Sequence, residues 1–360
     1  MKIVVAMSGG VDSSVAALEL KKKGHEIIGI TMRTWPKEEC GAAGEKLCCS
    51  QDAVQHARAV AEDLDIPFYV MNFSKAFNEE VSKYFVNEYS KGRTPNPCIY
   101  CNSELKFGHL YKKALSMGAK KIATGHYATI IQKNGEYYLA EAKDKKKDQS
   151  YFLYNISKAT LPDIEFPLGD HTKEEVRAIA SENGFMNAGR AESQDICFAT
   201  SRGDYREPLS KMAGSSSDIF KPGDILNVDG SFVGRHDGIA SYTVGQRRGV
   251  GLAMKEPVYV IKIDAINNTI MIGGKEHSMK RKILVGGLNW LVNDVPEKPV
   301  EFDVKIRYGS KKTRAIIIPA GNGEVMVEFG EPQFAPTPGQ AAVFYDGELV
   351  SGGGWIEKVF

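Results

Sequence analysis

Three cysteines stand in sequence contexts that suit sulfur chemistry. Cys98 and Cys101 form a C-x-x-C pair within residues 93–102 (RTPNPCIYCN), and Cys197 lies in the segment SQDICF. A thiol becomes a good nucleophile when a nearby cation or helix terminus lowers its pKa and raises the thiolate fraction. Two prolines predict that residues 93–102 form a stiff, extended loop that presents a thiol. Cys197, between apolar neighbours, is also typical of a buried and inert thiol.

A second chemical signature is the string SGGVDSS at residues 8–14. Paired glycines let a backbone approach an anion closely, and the start of a following helix adds unpaired N–H groups and a positive dipole end. Asp12 is expected beside phosphate only if Mg²⁺ lies between them. The string lacks the Gly-Lys-Ser/Thr of a Walker A loop. We predict a phosphate site of another kind, the structural alternative being an ordinary helix cap.

Strands and helices alternate around this string in the first half of the chain. A nearly continuous apolar run at residues 2–7 predicts a strand buried on both faces, and an apolar helical spacing follows the string. Further strands are predicted over residues 26–32, 68–73 and 120–124. A capping box at Thr172 and Glu175 predicts the start of a later helix. Such alternation predicts a parallel α/β sheet.

The pattern changes to short strands after about Ser201. Turn dipeptides typical of hairpins occur at Asp229-Gly230, Asn322-Gly323 and Asp346-Gly347, with a looser turn at Asn267-Asn268. We therefore predict an α/β domain over residues 1–204. A small central β domain would occupy residues 205–278, and a C-terminal β-barrel would occupy residues 279–360.

Composition excludes several classes of protein. The 360 residues are 42% hydrophobic and 25% charged, which is typical of a folded globular chain and not of disorder or collagen. The first apolar run is too short for a signal peptide or a membrane span. Six cysteines without an export signal predict reduced thiols in a cytoplasmic protein.

Local charge is more informative than the net charge of +1. Basic residues cluster at 143–147, 247–248, 280–282 and 305–314. One such cluster is usually a solvated surface. Four of them, three in the second half, favour a polyanionic ligand such as RNA.

The motifs together resemble known families. Residues 8–14 look like the SGGxDS signature of N-type ATP pyrophosphatases, which hold the β- and γ-phosphates of ATP and transfer AMP. The whole chain resembles bacterial tRNA-specific 2-thiouridylases, through RTPNPCIYCN, ATGHYA, KDQSYFL, SQDICF, GQRRGVG and TPGQAAVFYDGE. The resemblance implies that residues 1–204 are a catalytic domain of the ATP pyrophosphatase type and that the barrel over residues 279–360 binds tRNA. It also implies ATP and Mg²⁺, adenylation of the C2 carbonyl oxygen of the wobble uridine, and sulfur from a cysteine persulfide. It also implies tRNA acceptors for Lys, Glu and Gln, a separate protein that donates persulfide, and no membrane partner.

The same resemblance implies roles for individual residues. Cys101 would be the nucleophile that releases the product, and Cys197 would carry the persulfide, with a transient disulfide between them. ATP would be bound by Ala6, Met7, Ser8, Gly9, Gly10, Val11, Asp12, Ser13, Met32 and Gly125. The target base would be surrounded by Asn96, Pro97 and Cys98. tRNA would contact His126, Lys147, Asp148, Gln149, Arg307, Tyr308 and Gln340.

One position departs from the family pattern and leaves the sulfur chemistry open. Many relatives carry Asp where this sequence has Cys98, and that Asp has been considered a general acid/base. Cys98, Cys101 and Cys197 offer three thiolates, enough for an iron–sulfur cluster with one open iron. Cys48 or Cys49 would complete a zinc site with the C-x-x-C pair instead. Persulfide and disulfide chemistry without a metal, and an inert pair, are the other interpretations.

Two other functions compete with tRNA thiolation. An AMP-forming synthetase that ligates or amidates a small molecule would share the phosphate string, but the contexts of the cysteines and the long β region argue against it. A non-catalytic RNA-binding protein with a vestigial ATP site is disfavoured by the intact SGGVDSS.

Overall fold

A computed structural model describes most of the chain, which divides into two compact units. The described residues are 1–35, 51–190, 196–198, 205–214, 217–252, 254, 256–292 and 296–360. One unit, which we call the parallel-sheet unit, comprises Met1–Val81, Cys98–Tyr205 and Glu348–Val350. The other, the β-rich unit, comprises Ser82–Pro97, Arg206–Gly347 and Ser351–Phe360. The predicted boundaries of three domains stay predictions.

Parallel strands form the centre of the parallel-sheet unit. Its strands are β1 (Lys2–Ala6), β2 (Glu26–Arg33), β3 (Phe68–Asn72), β4 (Lys121–Thr124), β5 (Thr129–Lys133), β6 (Glu136–Ala140) and β7 (Ile164–Glu165). Among the described residues, five strands pair in parallel in the order β3-β2-β1-β4-β7, and β5 and β6 form an antiparallel hairpin. The predicted parallel sheet is confirmed. Its strand order reverses between β1 and β4, where ligands of open parallel sheets bind.

Helices connect these strands and continue into the second half. They are α1 (Val11–Lys22), α2 (Gln51–Asp63), α3 (Ser74–Phe77), α4 (Lys83–Ser90), α5 (Pro97–Tyr100), α6 (Tyr111–Ser116), α7 (Lys173–Glu182) and α8 (Arg206–Ala213). Wider π-helical turns occupy Asn78–Ser82 and Cys101–Leu110. Short 3₁₀ turns occupy Ser150–Phe152, Lys158–Asp163, Asp218–Phe220, Ile239–Ser241 and Lys275–Ser278. Within the described ranges, no helix has the length and apolar character needed to cross a bilayer.

The core of the parallel-sheet unit fixes the first strand against the first helix. Ile3 and Val5 of β1 lie in one buried cluster with Val15 and Leu18 of α1. The predicted capping box at the start of α7 is confirmed, because both of its reciprocal hydrogen bonds are present. Since β1 and α1 are both packed into this core, the short loop between them is held at both ends.

The β-rich unit contains a small sheet and a closed barrel. Its strands are β8 (Gly223–Asn227), β9 (Phe232–His236), β10 (Tyr259–Asp264), β11 (Thr269–Gly273), β12 (Met279–Trp290), β13 (Val300–Lys305), β14 (Thr313–Gly321), β15 (Glu324–Phe334), β16 (Ala341–Asp346) and β17 (Leu349–Val359). The small sheet has the order β10-β11-β8-β9. Of the strands described here, β12-β15-β14-β13-β16-β17 form the barrel, which the pairing of β12 with β17 closes.

Hydrophobic side chains fill the barrel, and tight turns join its strands. The interior includes Ile283, Val304, Phe344 and Ile356, all buried. The turns predicted from Asp229-Gly230, Asn267-Asn268, Asn322-Gly323 and Asp346-Gly347 all connect neighbouring strands. The predicted C-terminal β-barrel is therefore confirmed.

Candidate active site

The phosphate loop, residues 8–14, lies where the strand order of the sheet reverses. It follows β1, and Gly125 follows the neighbouring strand β4. A Cβ at Gly125 would lie 2.7 Å from the carbonyl carbon of Asp12 and 2.7 Å from the nitrogen of Ser13. Because Gly125 has no side chain, the end of β4 can pack against the first turn of α1, where Asp12 and Ser13 are predicted to contact ATP. Met32, also predicted to contact ATP, is half-buried near the carboxyl end of β2.

The hydroxyls of the phosphate loop hold its shape. Ser8 donates its N–H to Ser13 Oγ at 3.1 Å, and Ser13 Oγ donates to the Gly10 carbonyl at 3.0 Å. Ser14 Oγ donates to the same carbonyl at 3.1 Å. At the base of the loop, the Met7 carbonyl accepts from Thr31 Oγ1 at 2.6 Å. The loop is thus a compact turn, as a site for a bound anion requires.

Asp12 is already paired with two groups. Its Oδ1 accepts from Lys173 Nζ at 2.6 Å and from the Tyr127 hydroxyl at 2.9 Å. Lys173 begins α7 and is only 4% exposed, so its ammonium is a buried charge. The carboxylate of Asp12 and the serine hydroxyls are hard oxygen donors of the kind that Mg²⁺ takes, so these residues fit the predicted ion.

Sequence reasoning missed Lys173. A signal for it existed, because a lysine at the first position of a helix opposes the positive end of the helix dipole. Such a residue needs a compensating anion, and Asp12 supplies one.

Two further side chains reach the phosphate loop from the turn after α7. Asn187 Nδ2 donates to the Gly9 carbonyl at 3.0 Å and to Ser14 Oγ at 2.9 Å. Arg190 donates to the same carbonyl at 3.3 Å and contacts His56 Nδ1 at 3.2 Å. No sequence motif indicates a role for either residue.

The cysteine pair lies on a helix and not in a stiff loop, so that prediction was wrong. α5 begins at Pro97 and the π-helical turns begin at Cys101, which leaves only residues 93–96 outside a helix or turn. Proline is well suited to the first turn of a helix, where its missing N–H would have no partner. Cys98 and Cys101 are both half-buried.

The environment of Cys101 is set by Lys106. The Tyr111 N–H bonds to the Lys106 carbonyl five residues earlier, the spacing of a π-helix. With this wider turn, residues five apart share a face, so Lys106 lies on the face of Cys101. Burial raises the pKa of the Cys101 thiol, and the charge of Lys106 opposes this increase.

Lys106 also contacts His126, a predicted tRNA contact. Its Nζ lies 2.9 Å from Asn102 Oδ1 and 3.4 Å from His126 Nε2. An ammonium can only donate, so Nε2 accepts, and Nδ1 carries the proton that it donates to Thr124 Oγ1 at 2.6 Å. Burial, assisted by Lys106, lowers the pKa of His126 well below its ordinary value. The imidazole is therefore neutral at pH 7.

Contacts lead from the phosphate loop to Lys106, whose charge acts on Cys101. Gly125 packs against Asp12, and the next residue, His126, contacts Lys106. Lys106 in turn acts electrostatically on Cys101. The structure therefore brings the predicted phosphate site and the predicted nucleophile to the same edge of the sheet.

Cys197 is anchored by its neighbour. Phe198 is buried, with its ring centroid 6.1 Å from Trp35 and 6.0 Å from Phe77. The helix that ends at Phe77 contacts the π-helical turns that carry Cys101. Cys197 itself is half-buried, so it is not the fully buried, inert thiol that its apolar neighbours suggested.

The three described thiols do not form a metal site. Cys98, Cys101 and Cys197 are free of disulfides. In the described parts of the chain, no three His, Cys, Asp or Glu side chains are grouped so that they could hold a metal ion. The predicted iron–sulfur ligand set is therefore not assembled. Cys40 and the alternative zinc ligands Cys48 and Cys49 lie outside the described residues.

The predicted tRNA contacts at residues 147–149 lie in a loop tied to the strand end beside His126. Gln149 Oε1 accepts from the Tyr127 N–H at 3.0 Å. Asp148 is 3% exposed, and it accepts from the Ala142 N–H at 3.1 Å and from Ser150 Oγ at 2.8 Å. Burial raises the pKa of the Asp148 carboxyl. Its side chain shapes the loop, while the half-buried Lys147 lies nearer the surface.

The predicted contacts in the β-rich unit differ in exposure. Arg307 donates to the carbonyls of Phe334 and Ala335, both at 2.7 Å, whereas Tyr308 is 39% exposed. An exposed aromatic ring beside a cation is suited to stacking on an RNA base.

Gln340 holds the extended segment that precedes the cysteine pair. Its Nε2 donates to the Thr94 carbonyl at 2.9 Å and to the Pro95 carbonyl at 3.3 Å. The Thr94 N–H donates to the Pro338 carbonyl at 2.9 Å. The next residue, Asn96, is predicted to contact the target base and is half-buried.

Family models match nearly the whole chain. A model described as the tRNA methyl transferase HUP domain matches residues 1–201. A tRNA methyl transferase PRC-barrel domain matches residues 217–274, and an aminomethyltransferase β-barrel domain matches residues 280–356.

Curated relatives match over their full length. The tRNA-specific 2-thiouridylase MnmA of Pelotomaculum thermopropionicum is 47% identical over 99% of this chain and 97% of its own length. The protein named tRNA-specific 2-thiouridylase MnmA 1 in Caldanaerobacter subterraneus is 45% identical over 99% of this chain and 98% of its own. The protein named MnmA in Acetivibrio thermocellus is 46% identical over 99% of both chains.

Proposed function

Because this chain belongs to the tRNA-specific 2-thiouridylase family, we propose that it uses ATP to replace the C2 oxygen of the wobble uridine in tRNA with sulfur. It is a tRNA-uridine 2-sulfurtransferase, an enzyme that thiolates tRNA. One observation supports this mechanism. Gly125 packs against the phosphate loop, the next residue His126 contacts Lys106, and the charge of Lys106 acts on Cys101.

The first step would activate the base. The uridine O2 attacks the α-phosphorus of ATP, which forms an adenylated base and releases pyrophosphate. The loop at residues 8–14 holds the β- and γ-phosphates, and Mg²⁺ near Asp12 would supply charge neutralisation. Lys173 keeps the Asp12 carboxylate in a defined position at 2.6 Å. Adenylation turns an oxygen that departs badly into part of a good leaving group.

The second step would transfer sulfur. The terminal sulfur of a persulfide on Cys197 attacks C2, and AMP leaves with the former carbonyl oxygen. The Cys101 thiolate then attacks Cys197 Sγ of the sulfur–sulfur bond, which releases 2-thiouridine and leaves a disulfide between the two cysteines. A thiol reductant restores both thiols. A separate protein would deliver the persulfide sulfur.

Binding of the RNA would present the base. A base stacked in an anticodon loop must first be flipped out to react. We propose that Asn96, Pro97 and Cys98 surround the flipped base. Tyr308 and its neighbour Arg307 would contact the RNA, as would His126, Gln340 and residues 147–149. The acceptors would be tRNAs for Lys, Glu and Gln, in the cytoplasm.

The test is a reconstituted reaction. Purified protein, unmodified tRNA, ATP, Mg²⁺ and a persulfide-loaded sulfur carrier are incubated, and AMP, pyrophosphate and 2-thiouridine are quantified. We expect all three products in equal amounts. AMP formation that does not need tRNA would instead support a synthetase acting on a small molecule.

Cysteine variants assign the sulfur steps. Cys197→Ser should abolish thiolation but keep tRNA-dependent formation of pyrophosphate, whereas Cys101→Ser should leave the base covalently bound. Cys98→Ser removes the third thiol of the cluster alternative but keeps a small polar side chain beside the base, so thiolation by this variant would argue against a cluster that needs Cys98. Thiolation by Cys197→Ser would contradict the persulfide route. Iron in stoichiometric amounts in active, anaerobically purified protein would support the cluster alternative.

A further inference from the structure

The orientation of one peptide in the phosphate loop depends on side chains far away in sequence. The Gly9 carbonyl accepts from Asn187 at 3.0 Å and from Arg190 at 3.3 Å. We infer that Asn187 and Arg190 are positioning residues that orient the Gly9–Gly10 peptide so that its N–H faces the β- and γ-phosphates of ATP. This inference rests on the proposed function.

The planar peptide fixes the direction of the Gly10 N–H relative to the Gly9 carbonyl. In a planar trans peptide, the C=O of one residue and the N–H of the next point in opposite directions. Donors that hold the Gly9 carbonyl on one side therefore turn the Gly10 N–H to the other side. On that side the Gly10 N–H donates a long hydrogen bond to Ser8 Oγ at 3.4 Å, which a phosphate oxygen would replace. A flipped peptide would direct a carbonyl oxygen at the phosphates and repel them.

Gly9 can adopt this orientation because it lacks a side chain. Its φ is +74°, in the left-handed region, and a Cβ would overlap the carbonyl of Ala53 in α2. Glycine crosses between such conformations at little cost. Gly9 thus permits this orientation of the peptide but does not select it. Asn187 and Arg190 hold the peptide in it.

Asn187 is suited to this task by its burial and its donors. It is 1% exposed, and its amide nitrogen contacts the Gly9 carbonyl and Ser14 Oγ. Its Oδ1 is buried and has no hydrogen-bond partner within the part of the chain that the structure describes. The opposite amide assignment would place Oδ1 against a carbonyl oxygen, so the contact fixes the assignment. The Asn187 amide thus donates both of its N–H groups to the phosphate loop, at the cost of a hydrogen bond to its oxygen.

Arg190 adds a cation on the same side of the peptide. It is half-buried and contacts His56 of α2 at 3.2 Å, which holds the guanidinium over the loop. A charged donor strengthens the hydrogen bond to the carbonyl. Two side chains on one side of the peptide therefore hold the Gly9 carbonyl.

The decisive experiment compares two asparagines of the same segment. Asn187→Asp keeps the shape of the side chain but replaces its donors with an oxygen that faces the Gly9 carbonyl. Asn183→Asp is the matched control, because Asn183 is exposed and bonds only locally, to the Ile179 carbonyl at 2.7 Å. Binding of a non-hydrolysable ATP analogue with Mg²⁺ is measured by calorimetry without tRNA, and tRNA binding is measured separately.

We expect Asn187→Asp to raise the Kd for the nucleotide about thirtyfold, the effect of losing a buried hydrogen bond of this kind, and to leave the Kd for tRNA unchanged. Asn183→Asp should change neither. Arg190→Met, on the surface side, should raise the nucleotide Kd about fivefold, and Arg190→Lys should restore part of the loss. If Asn187→Asp does not fold, the arginine pair carries the test.

The outcomes separate this inference from the proposed function. Wild-type affinity for the nucleotide in Asn187→Asp and Arg190→Met would overturn the inference while leaving thiolation intact. An equal loss of nucleotide and tRNA binding would also overturn it, because that is the sign of a purely structural role. A wild-type protein that thiolates no tRNA would refute the proposed function instead.

Discussion

The phosphate loop and the cysteine-bearing helix occupy the same edge of the parallel sheet but hold their polar groups in opposite ways. In the loop, charges and donors are paired: Asp12 with Lys173, and the Gly9 carbonyl with Asn187 and Arg190. At the helix, the groups near Lys106 are held neutral. The pKa of the Cys101 thiol is raised and that of His126 is lowered.

This difference suggests when each region acts. A loop whose donors are already arranged can bind an anion with little rearrangement, as an ATP site needs. A lysine facing a neutral thiol and a neutral imidazole offers its charge to whatever anion forms there later. In the proposed reaction that anion is the Cys101 thiolate, which is needed only after AMP has left. Variants that alter one region and spare the other test this difference.

The largest effect is expected from Gly9→Ala. The new Cβ would overlap the Ala53 carbonyl, and φ of +74° is strained for alanine, so the loop must move. We expect loss of ATP-dependent thiolation by more than about a hundredfold, since misplacement by even 1 Å is costly. Gly24→Ala is the control, because Gly24 has φ of +78° but nothing within 4 Å of its added Cβ. It should lose about 1 kcal/mol of stability and keep full activity.

The next effect is expected at the buried ion pair of Asp12 and Lys173. Asp12→Asn leaves the buried Lys173 ammonium without this carboxylate, and we expect α1 and α7 to lose about 3 kcal/mol of local stability. Lys173→Met removes the buried charge itself and should cost about 1 kcal/mol. Native-state hydrogen exchange without nucleotide measures both. Equal losses in the two variants would show that the ammonium is not buried as the structure has it.

The smallest effect concerns the thiol. Lys106→Met removes the cation that favours the Cys101 thiolate, so the raised pKa of Cys101 should rise further. Alkylation of Cys101 at pH 8, followed by mass spectrometry, should slow severalfold, and its pH profile should move upward. Lys112→Met, on the exposed part of α6, is the control. Unchanged alkylation in Lys106→Met would remove the contrast between the two regions.

The raised pKa also sets the sign of the pH dependence. A group that is more readily protonated in the folded state stabilises that state below its unfolded pKa. This contribution of Cys101 is lost as the pH rises through its folded pKa. We therefore expect a loss of stability in alkaline solution that is absent in Cys101→Ala, measured by urea denaturation across alkaline pH.

The sequence predicted features that consecutive residues form. It missed contacts between residues far apart in the chain and contacts that depend on helix geometry. The SGGVDSS string carries its own signature, and its strand, turn and helix follow from apolar spacing. Lys173 and Asn187 meet the loop from 161 and 178 residues away, and one sequence carries no record of that pairing. Pro97 fits both an extended segment and a helix start, so the sequence favours a loop where the structure has the helix of Cys98. The spacing of Cys101 and Lys106 has meaning only in a π-helix.

The grip on residues 93–96 has a consequence for the order of synthesis. Thr94 is held by Pro338 and Gln340, and Arg93 forms an ion pair with Glu357. Gln340 and Glu357 lie 246 and 264 residues after their partners, so a ribosome makes them long after residues 93–96. A chain released before these partners are made therefore lacks the contacts that hold the segment preceding its cysteines. Such incomplete translation products would lack this support even when their nucleotide loop has folded.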